Sequence, residues 1–548
     1  MKFKIRFLPS GARALVDRDT LISDAAKAAG VVIRTPCNGN GRCGRCNVTI
    51  SKHENELQNG PENSGGRKEK NALKPDHMIV LACRTHVNAD MCVSIPPDDD
   101  GIIASNDHRN IEIHDLTPIA APMKCNANNY GLAADIGTTT VAVSVVDMNS
   151  GTDMYSASGY NTQGVHGDDV LSRIEYAHEG GTEELRRSVV KSINDLIDPF
   201  VRENDKRNNE KGLTKDDINA VYVSGNTTMI HLFLGIDPSP IREPPYDPVV
   251  KEAEITGRES GLHVNADAMV ICMPSPAAYV GGDVTSDIIN SEMDTDDGLS
   301  LLIDVGTNGE VALGNKDMML VCSSSAGPAF EGGMRSGMMA KPGAIDSFKI
   351  TEGRFEYTVI AGDRAKGICG SGLIDILAQL FIHGYIDKKG KFTDKTSIET
   401  IDGKKSLTIA EGVRISEDDI HDAILTKAAI YSASRSLIRN LGANIDDIEK
   451  IYIAGGFGNF INTESAIAIG MLPDVPREKF EYLGNASLAG AKQALLSSSA
   501  RNRIGEVFKR MTYVDLSSDP LFSDEYISAL FIPHTDFSQF PTYADHGR

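Results

Sequence analysis

Two stretches of similar pattern determine the fold that this sequence predicts. Residues 131–148 read GLAADIGTTTVAVSVVDM, and residues 300–315 read SLLIDVGTNGEVALGN. In each, an apolar run reaches an aspartate, a Gly/Thr turn follows, and a second apolar run begins, which predicts strand, tight turn and strand. The recurrence of this pattern predicts a duplicated domain.

The segments that follow these stretches support the same plan. After the first come an amphipathic helix at 183–204 and a strand leading into a helix at 220–235. After the second come a long helix at 418–442 and a strand ending in a Gly-rich turn at 450–462. Strands and amphipathic helices in alternation form layered α/β domains. We therefore predict an α/β protein with two similar halves, divided near residue 296.

The first hundred residues have a different texture. Strand-like residues 2–7 and 11–16 flank a turn, a short helix is predicted at 21–29, and a polar stretch precedes further strand-like residues. This pattern predicts a compact α+β domain. The predicted division of the chain is a first domain at 1–97, a linker at 98–128, a first half at 129–296 and a second half at 297–548.

Length, composition and charge exclude several classes of protein. The 548 residues, at roughly 150 per domain, predict three or four domains, and 41% hydrophobic residues argue against disorder. The formal net charge is −21, from 55 Lys plus Arg and 76 Asp plus Glu. Because such a balance repels phosphate backbones and anionic lipids, we expect neither a nucleic-acid partner nor a membrane partner.

The sequence also predicts a cytoplasmic protein. Its amino terminus alternates charged with apolar side chains and lacks the apolar core of a secretory signal. No run approaches the ~20 apolar residues that span a bilayer. Nine cysteines, four of them from Cys37 to Cys83, suit metal ligation in a reducing compartment better than disulfides.

The clustered cysteines have the spacing of an iron–sulfur site. They follow C-x5-C-x2-C-x36-C and are Cys37, Cys43, Cys46 and Cys83. Three ligands on one tight loop and a fourth on a distant strand are typical of plant-type [2Fe–2S] ferredoxins. The loop, CNGNGRCGRC, contains glycines that let the backbone wrap a cluster and arginines that place positive charge beside it. These residues are Gly39, Gly41, Gly44, Arg42 and Arg45.

Two alternatives to this site remain open from the residues alone. Zinc is disfavoured, because only one C-x2-C pair is present and the x5 gap before it is seldom used by zinc ribbons. Cys92 could replace Cys83 as the fourth ligand, although LACRT around Cys83 resembles the fourth-ligand strand of ferredoxins. The other cysteines are expected to be small core or loop residues, and they are Cys125, Cys272, Cys322 and Cys369.

The two Asp-x-Gly-Thr turns have the composition of a phosphate clamp. Each places a carboxylate at a strand end beside a turn whose N–H and hydroxyl groups can hold phosphate. Two such turns facing each other would clamp a polyphosphate, while Asp135 and Asp304 hold Mg²⁺ directly or through water. The expected phosphate-binding residues are Gly137, Thr138, Thr139, Thr140, Gly306, Thr307 and Asn308.

Other Gly-rich and polar segments carry weaker expectations. Gly455-Gly456-Phe457 follows a strand and is expected to lie against adenosine. The loops 323–333 and 367–372 either line the nucleotide cleft or form tight packing turns. Asp168 or Asp169 is expected to cap the helix that follows.

A [2Fe–2S] module ahead of a duplicated ATP clamp resembles the reductive activators of corrinoid enzymes. The motifs that carry the resemblance are CNGNGRCGRC, AADIGTTTVAVSVVD, NTQGVHGDDVLSRI, VSGNTTM, LLIDVGTNGEVAL, SSAGPAFEGG, GICGSGLID and IAGGFGNF. The resemblance implies a β-grasp ferredoxin domain and two ribonuclease-H-like halves, as in actin, sugar and acetate kinases and chaperone ATPases. The tail after Val514 has no cysteine, which matches the members whose cluster is amino-terminal.

By this resemblance the protein is an ATP-dependent corrinoid protein reductase. It would pass one electron from its [2Fe–2S] cluster to an inactive Co(II) corrinoid protein of a methyltransferase system and so restore Co(I). ATP and Mg²⁺ would be its other cofactors, and a low-potential ferredoxin or flavodoxin would reduce the cluster. Asp135 and Asp304 would position Mg²⁺ and water. The sequence leaves the oligomeric state open, with a homodimer among the options.

Three other functions are compatible with parts of the sequence. An activator of 2-hydroxyacyl-CoA dehydratases uses the same ATP fold, but its [4Fe–4S] cluster lies within that fold, whereas the cysteines here precede it. A redox sensor or binding module could hold ATP without turnover, because clamp residues serve binding and hydrolysis alike. A small-molecule kinase is disfavoured, since it leaves the ferredoxin-type domain without a purpose.

Overall fold

The structure is a computed structural model. It describes residues 2–31, 33, 46–51, 77–95, 113, 115–120, 128–167, 169–207, 214–362, 364–395, 398–401, 403–456 and 461–547. The chain divides into two compact units: Met1–Gly101 with the segment Gly164–Asp168, and Ile102–Gln163 with Asp169–Arg548. No helix in the described ranges is both long enough and apolar enough to cross a membrane.

The first unit contains a five-stranded mixed sheet with one helix. Its elements are β1 (Lys2–Leu8), β2 (Arg13–Asp17), α1 (Ile22–Ala28), β3 (Asn47–Ser51), β4 (His77–Leu81) and β5 (Met91–Ser94). The strand order is β2-β1-β5-β3-β4, with β1 antiparallel to β2 and parallel to β5. Alternate apolar residues such as Ile5 and Phe7 point to the core with Ile22 of the helix. This arrangement confirms the β-grasp fold.

The second unit begins with a six-stranded sheet. Its elements are β6 (Tyr130–Ile136), β7 (Thr140–Asp147), β8 (Thr152–Tyr160), α2 (Val170–Tyr176), α3 (Thr182–Arg207), β9 (Ile218–Gly225), α4 (Thr227–Leu234), α5 (Ser239–Arg242), β10 (Ala253–Thr256), α6 (Gly257–Ser260), β11 (Met269–Cys272) and α7 (Gly282–Ser291). The strand order is β10-β11-β9-β6-β7-β8. The central strands are apolar on both faces, as expected for strands covered by helices on each side.

The second half contains another six-stranded sheet and two smaller sheets. Its first elements are β12 (Leu299–Val305), β13 (Gly309–Gly314), β14 (Met319–Ser324), β15 (Ala344–Thr351), β16 (Arg354–Val359), β17 (Gly367–Ile368), α8 (Gly370–Ile382), β18 (Glu399–Ile401), β19 (Lys404–Ala410), β20 (Val413–Ser416) and α9 (Glu417–Leu441). The remaining ones are β21 (Ile448–Ala454), α10 (Thr463–Ala468), β22 (Phe480–Gly484), α11 (Ala486–Leu496), α12 (Ser498–Arg510), β23 (Met511–Tyr513) and α13 (Pro520–Ala529). The large sheet has the order β22-β21-β12-β13-β14-β23, and two three-stranded sheets have the orders β16-β15-β17 and β18-β19-β20.

The two large sheets repeat one plan. The order β11-β9-β6-β7-β8 in the first corresponds to β22-β21-β12-β13-β14 in the second, with the same parallel and antiparallel pairings. The pairing in each is that of a ribonuclease-H-like fold, so the predicted duplication is confirmed. Asp135 on β6 and Asp304 on β12 occupy matching positions, each one residue before its strand ends.

Two helices pack between the large sheets and join the halves. Helix α7 from the first half and α11 from the second lie against each other, and α11 also packs on β6 and β9 of the opposite half. The core they share includes Ile288, Leu302, Tyr452 and Leu495. Burying a side chain of this size contributes about 1.5–3 kcal/mol, so this apolar layer holds the two halves together. The polar amino-terminal ends of both helices lie beside the strand ends that carry Asp135 and Asp304.

The stretch 115–120, which the sequence assigns to a linker, is bound to the second half. The Thr117 N–H donates to Leu496 O (2.8 Å), and the Ile119 N–H donates to Leu495 O (3.0 Å). Asp115 accepts hydrogen bonds from the Ser497 hydroxyl and from the Ser499 N–H (3.0 Å). These donors hold the pKa of the Asp115 carboxyl below its ordinary value. Asp115 therefore satisfies N–H and hydroxyl groups at the start of α12.

We predict that Asp115→Ala lowers the free energy of unfolding by about 1 kcal/mol, the usual loss when a helix cap is removed. Asp115→Asn keeps the acceptor oxygen and should cost less. Because the pKa is lowered in the folded state, the carboxylate stabilises above the ordinary Asp pKa of about 3.9, and this contribution disappears as pH falls through the folded pKa. Chemical denaturation at neutral pH measures the effect. Equal losses for Asp115→Ala and for Asp317→Ala, an exposed turn residue, would contradict it.

Candidate functional site

Two of the four cysteines predicted to bind a cluster lie side by side. Cys46 precedes β3 and Cys83 follows β4, and the antiparallel register that pairs Asn47 with Leu81 brings them together. Their sulfur atoms are 3.2 Å apart, and both side chains are buried. Cys92 pairs with Ser51 at the other end of β3, ~16 Å along the strand from Cys46 at about 3.3 Å per residue.

The remaining cysteines divide between described and undescribed parts of the chain. Cys37 and Cys43, with the glycines and arginines of their loop, lie outside the described residues, and so does Cys125. Cys272, Cys322 and Cys369 are buried, as expected for core residues. Burial raises the pKa of the Cys272 thiol to about 12, so it stays protonated and unreactive near neutral pH.

The two turns that the sequence assigned to phosphate meet in the structure. The first turn, residues 137–140, and the second turn, residues 306–308, approach so closely that the Thr139 and Thr307 hydroxyl oxygens are 3.2 Å apart. Both hydroxyls also donate to the same carboxylate oxygen of Glu331, Oε2. The distance from Thr139 Oγ1 to this oxygen is 2.9 Å. The turns of the two halves therefore face one another across a narrow cleft.

The backbone explains the glycine of the first turn. The Gly137 N–H donates to Thr140 O (2.9 Å), and a Cβ on Gly137 would lie 2.7 Å from that oxygen. Thr138 differs from expectation, because its hydroxyl is buried and accepts a hydrogen bond from the Asn226 amide (3.1 Å). Thr138 can therefore offer the cleft only its backbone. Thr140 begins β7 and pairs with Tyr160.

Asp135 is held by the amino-terminal end of α11. It accepts hydrogen bonds from the Asn485 amide (2.9 Å) and from the Ser487 hydroxyl (2.7 Å). Burial raises the pKa of the Asp135 carboxyl, and these two hydrogen bonds oppose that rise. Since Asn485 also caps α11, one residue of the second half fixes both that helix and the aspartate of the first half.

Asp304 lies among four further carboxylates. Glu310 is opposite it on β13, Asp283 and Asp287 reach it from α7, and the charge of Asp135 also acts on it. Burial, together with the charges of Asp283 and Asp135, raises the pKa of Asp304 to about 8. Burial likewise raises the pKa of Asp283 to about 7 and that of Glu310 well above its ordinary value. The Asn308 amide and the Ser323 hydroxyl partly stabilise the Glu310 carboxylate.

Of these carboxylates, Asp287 is repelled by the largest number of neighbouring charges. It is almost fully buried, and no N–H or hydroxyl group of the described residues donates to its carboxylate oxygens, so its hydrogen bond with Asp304 requires a proton on one of the two carboxyls. Burial and the charges of Asp304 and Asp283 raise its pKa well above the ordinary value. An unpartnered buried carboxylate is costly, so this cluster is suited to a bound cation. No three acidic, His or Cys side chains in the described ranges are close enough to hold a metal by themselves.

The glycines of the predicted adenosine loop differ in their surroundings. Gly455 has φ +110°, and a Cβ there would lie 2.4 Å from Val305 O, so packing alone requires glycine. Gly225 meets Ile136 O in the same way in the first half, at 2.6 Å. No described residue lies within 4 Å of a Cβ built on Gly456, and Phe457 lies outside the described residues.

The structure also shows where the two loops of open role and the predicted helix cap lie. The loop 323–333 lines the cleft through Glu331. The loop 367–372 is a packing turn, since a Cβ on Gly372 would lie 2.2 Å from Ile345 O. Asp169 caps α2 in a reciprocal arrangement with Ser172, as predicted, and Asp168 lies outside the described residues.

The sequence analysis missed several residues of the cleft. They are Asp283, Asp287, Glu310, Glu331, Asn485 and Ser487. A usable signal was present at four of them, because the segments GGDVTSDI at 281–288 and GNAS at 484–487 each contain a glycine at the start of a helix. Glu310 and Glu331 carry no local signal, since only the pairing of the sheet and the closing of the loop bring them to Asp304 and the turns.

Comparison with known proteins gives three family matches. Residues 7–88 match the 2Fe-2S iron-sulfur cluster binding domain, residues 130–296 match the RACo middle region, and residues 298–544 match the C-terminal domain of RACo, the ASKHA domain. ASKHA denotes the superfamily of acetate and sugar kinases, chaperone ATPases and actin. The matches agree with the β-grasp sheet and with the duplicated sheets described above.

Individual relatives agree with the family matches. The corrinoid activation enzyme RamQ of Eubacterium limosum is 34% identical over 418 residues, which are 73% of this chain and 69% of RamQ. The Co(II) methylated amine-specific corrinoid protein reductase of Methanosarcina barkeri is 24% identical over 441 residues, 73% of this chain and 76% of that protein. A solved reductive activator for corrinoid, iron-sulfur protein superposes with a TM-score of 0.72 at 34% identity, covering 98% of this chain and 100% of that one. This chain therefore belongs to the RACo family of reductive activators.

Proposed function

We propose that this protein is an ATP-dependent reductive activator of a corrinoid protein. It passes one electron from a [2Fe–2S] cluster to an inactive Co(II) corrinoid protein and restores Co(I), the form that accepts a methyl group. The observation that carries this proposal is the presence, in one chain, of a ferredoxin-type sheet and of two facing turns with buried carboxylates. The names of the relatives, which describe the activation or reduction of corrinoid proteins, support it.

The electron carrier is the cluster, held by Cys37, Cys43, Cys46 and Cys83. The contact between the Cys46 and Cys83 sulfurs supports this set, because two thiolates must lie close together to share an iron. The step is balanced as a one-electron exchange: the reduced cluster becomes oxidised and Co(II) becomes Co(I). A low-potential ferredoxin or flavodoxin then returns the cluster to its reduced state.

The nucleotide is Mg-ATP, bound between the two turns. The Thr139 and Thr307 hydroxyls and the turn backbones contact phosphate, with Gly137, Gly306 and Asn308 shaping the turns. Mg²⁺ keeps several waters and is commonly held by one or two carboxylates together with the phosphates of the substrate. Asp135 and Asp304 fill that role, and Asp283, Asp287 and Glu310 add the negative charge that favours the cation. The segment 455–457 faces the adenosine.

ATP makes the uphill electron transfer possible. A plant-type cluster has a potential of roughly −400 mV. For a one-electron step each ~59 mV of unfavourable potential is a factor of ten in the equilibrium constant, so a few hundred millivolts need a coupled energy source. Thr139 and Thr307 belong to different halves of the duplicated fold. A polyphosphate that contacts both residues therefore couples nucleotide binding to the distance between the two halves.

Sequence texture supports a division into a ferredoxin domain at 1–97, a linker at 98–128 and two halves at 129–296 and 297–548. The cytoplasm, which keeps thiols reduced, suits four cluster-binding cysteines. The proposed partners are a corrinoid protein and a low-potential electron donor.

The proposal is tested by an anaerobic optical assay of Co(I). Purified protein, excess chemical reductant and a Co(II) corrinoid protein are mixed with and without Mg-ATP. Co(I) should accumulate only when the protein and Mg-ATP are both present. Equal Co(I) formation without nucleotide would contradict ATP dependence, and no Co(I) with any corrinoid protein of a methyltransferase system would contradict the activity.

Cys83→Ala should abolish the visible spectrum of the cluster and the formation of Co(I), because it removes one of four thiolates. Cys92→Ala is the matched control, since that cysteine lies at the other end of β3, and it should keep both. Nucleotide affinity, measured by calorimetry, should be unchanged in either variant. Loss of the spectrum in Cys92→Ala alone would reassign the fourth ligand.

Asp304→Asn should weaken Mg-ATP binding by about tenfold or more, the effect of losing one charged contact of 1.4 kcal/mol. The cluster spectrum should not change. Without nucleotide this variant should be as stable as the wild type or more so, because an amide cannot take on the negative charge that burial and the neighbouring carboxylates oppose at this position. Asp317→Asn, on an exposed turn, is the control. A lowered melting temperature, or Mg²⁺-dependent affinity equal to the wild type, would exclude this role for Asp304.

A further inference from the structure

The segment NTQGVHGDDVLSRI, residues 161–174, contributes a buried arginine that the proposed chemistry does not use. Arg173 is 1% exposed and lies beside the fully buried Ile174 in a helix of only seven residues, α2. Its guanidinium is directed at the first turn, where Nη2 donates a hydrogen bond to Thr138 O (2.6 Å). Nη1 donates to Gln163 Oε1 (3.2 Å) and lies 3.2 Å from Met229 Sδ.

Asn161 binds the same turn from the same side. Its amide Nδ2 donates to Gly137 O (2.9 Å), and its backbone N–H donates to Thr139 O (2.9 Å). Gln163 accepts from this amide as well as from Arg173, and its own Nε2 is anchored on Leu185 O (3.0 Å). Asn161 and Gln163 are both buried. Three successive carbonyl groups of the first turn are thus held by one short segment.

The direction of these carbonyl groups determines what the turn offers to the cleft. In a planar trans peptide the C=O and the N–H of the same unit point in opposite directions. The three carbonyls of residues 137–139 are directed towards Asn161 and Arg173, so the N–H groups of residues 138–140 are directed away from them. Consecutive N–H groups that point the same way form a concave site for an anion.

The second turn is held differently. Its Thr307 carbonyl accepts from the Gly327 N–H (2.9 Å), and its Gly306 N–H donates to Asn308 O (3.1 Å). Both partners are backbone groups. The duplicated fold therefore does not itself require a buried arginine behind such a turn, and Arg173 is a property of the first one.

We infer that Arg173 and Asn161 are positioning residues for the phosphates of the nucleotide, because they hold the carbonyl groups of the first turn and so aim its N–H groups into the cleft. This inference rests on the proposed nucleotide site. An arginine is needed because its planar fork reaches two acceptors at fixed angles, whereas a lysine carries the charge without that geometry. Gln163 acts by holding both side chains in place.

The test compares Arg173→Lys with a matched control, Arg242→Lys, in the full-length protein. Arg242 lies in the same half on α5 and pairs with Glu175, an exposed residue of α2, instead of with a carbonyl group of the turn. Affinities for Mg-ATP and for AMP are measured by calorimetry. Arg173→Lys should bind Mg-ATP about tenfold more weakly, the effect of one charge-assisted hydrogen bond, and should bind AMP as the wild type does. Arg242→Lys should bind both normally.

Asn161→Asp provides a second variant that keeps the size of the side chain. It replaces the donor to Gly137 O with an oxygen that repels it, and Mg-ATP affinity should again fall about tenfold while AMP affinity is kept. Because both residues act on one turn, the double variant should lose less than the product of the single losses.

The outcomes separate this inference from the proposed function. Normal Mg-ATP affinity in Arg173→Lys would overturn the inference, and so would an equal loss for AMP, which would indicate a general loosening of the fold. A wild-type protein that binds Mg-ATP and yet reduces no corrinoid protein would overturn the proposed activity and leave the positioning role intact. A wild-type protein that binds no nucleotide would overturn both.

Discussion

The mutual repulsion of buried carboxylates at the cleft is the constraint on which this molecule depends. Asp135 and Asp304 end the central strands of two sheets, and Asp283, Asp287 and Glu310 crowd the same space. The pKa values of Asp283 and Asp304 are raised to about 7 and about 8 by burial and by their neighbours. Such a group is costly when its members are charged, so the surrounding fold has to hold it together, and the proposed Mg²⁺ would offset the repulsion.

The fold supplies that support from opposite halves. Helix α7 brings two aspartates to the strand ends of the other half, and α11 brings Asn485 and Ser487 to Asp135. The apolar faces of the two helices form the layer between the sheets. One pair of helices thus provides the cohesion of the halves and the polar groups of the cleft. A change in the spacing of the halves must therefore change the environment of the carboxylates.

Local patterns in the sequence predicted much of this. Both Asp-x-Gly-Thr stretches are strand, turn and strand, and the long helix expected at 418–442 is observed at Glu417–Leu441, with Ser416 capping its start and Gly442 in a left-handed conformation at its end. The spacing of the cysteines predicted Cys46 and Cys83 as cluster ligands, which stays a prediction, and their sulfurs lie 3.2 Å apart.

What could not be predicted depends on contacts between distant segments. Glu310 reaches Asp304 only through strand pairing, and Glu331 joins two hydroxyls that are 168 residues apart in the chain. Thr138 looked like a phosphate ligand, yet its hydroxyl is bound to Asn226 in the interior. The role of Arg173 was invisible for the same reason, because only its contact with the first turn, 35 residues away in the chain, shows what the buried guanidinium binds.

A single-turnover experiment tests the central claim most directly. The protein is reduced, freed of excess reductant, and mixed anaerobically with a Co(II) corrinoid protein, while absorbance follows the cluster and the cobalt together. The account predicts that, with Mg-ATP, one cluster is oxidised for each Co(I) formed, at the same rate, and that neither change occurs without nucleotide. Formation of Co(I) while the cluster stays reduced would contradict it.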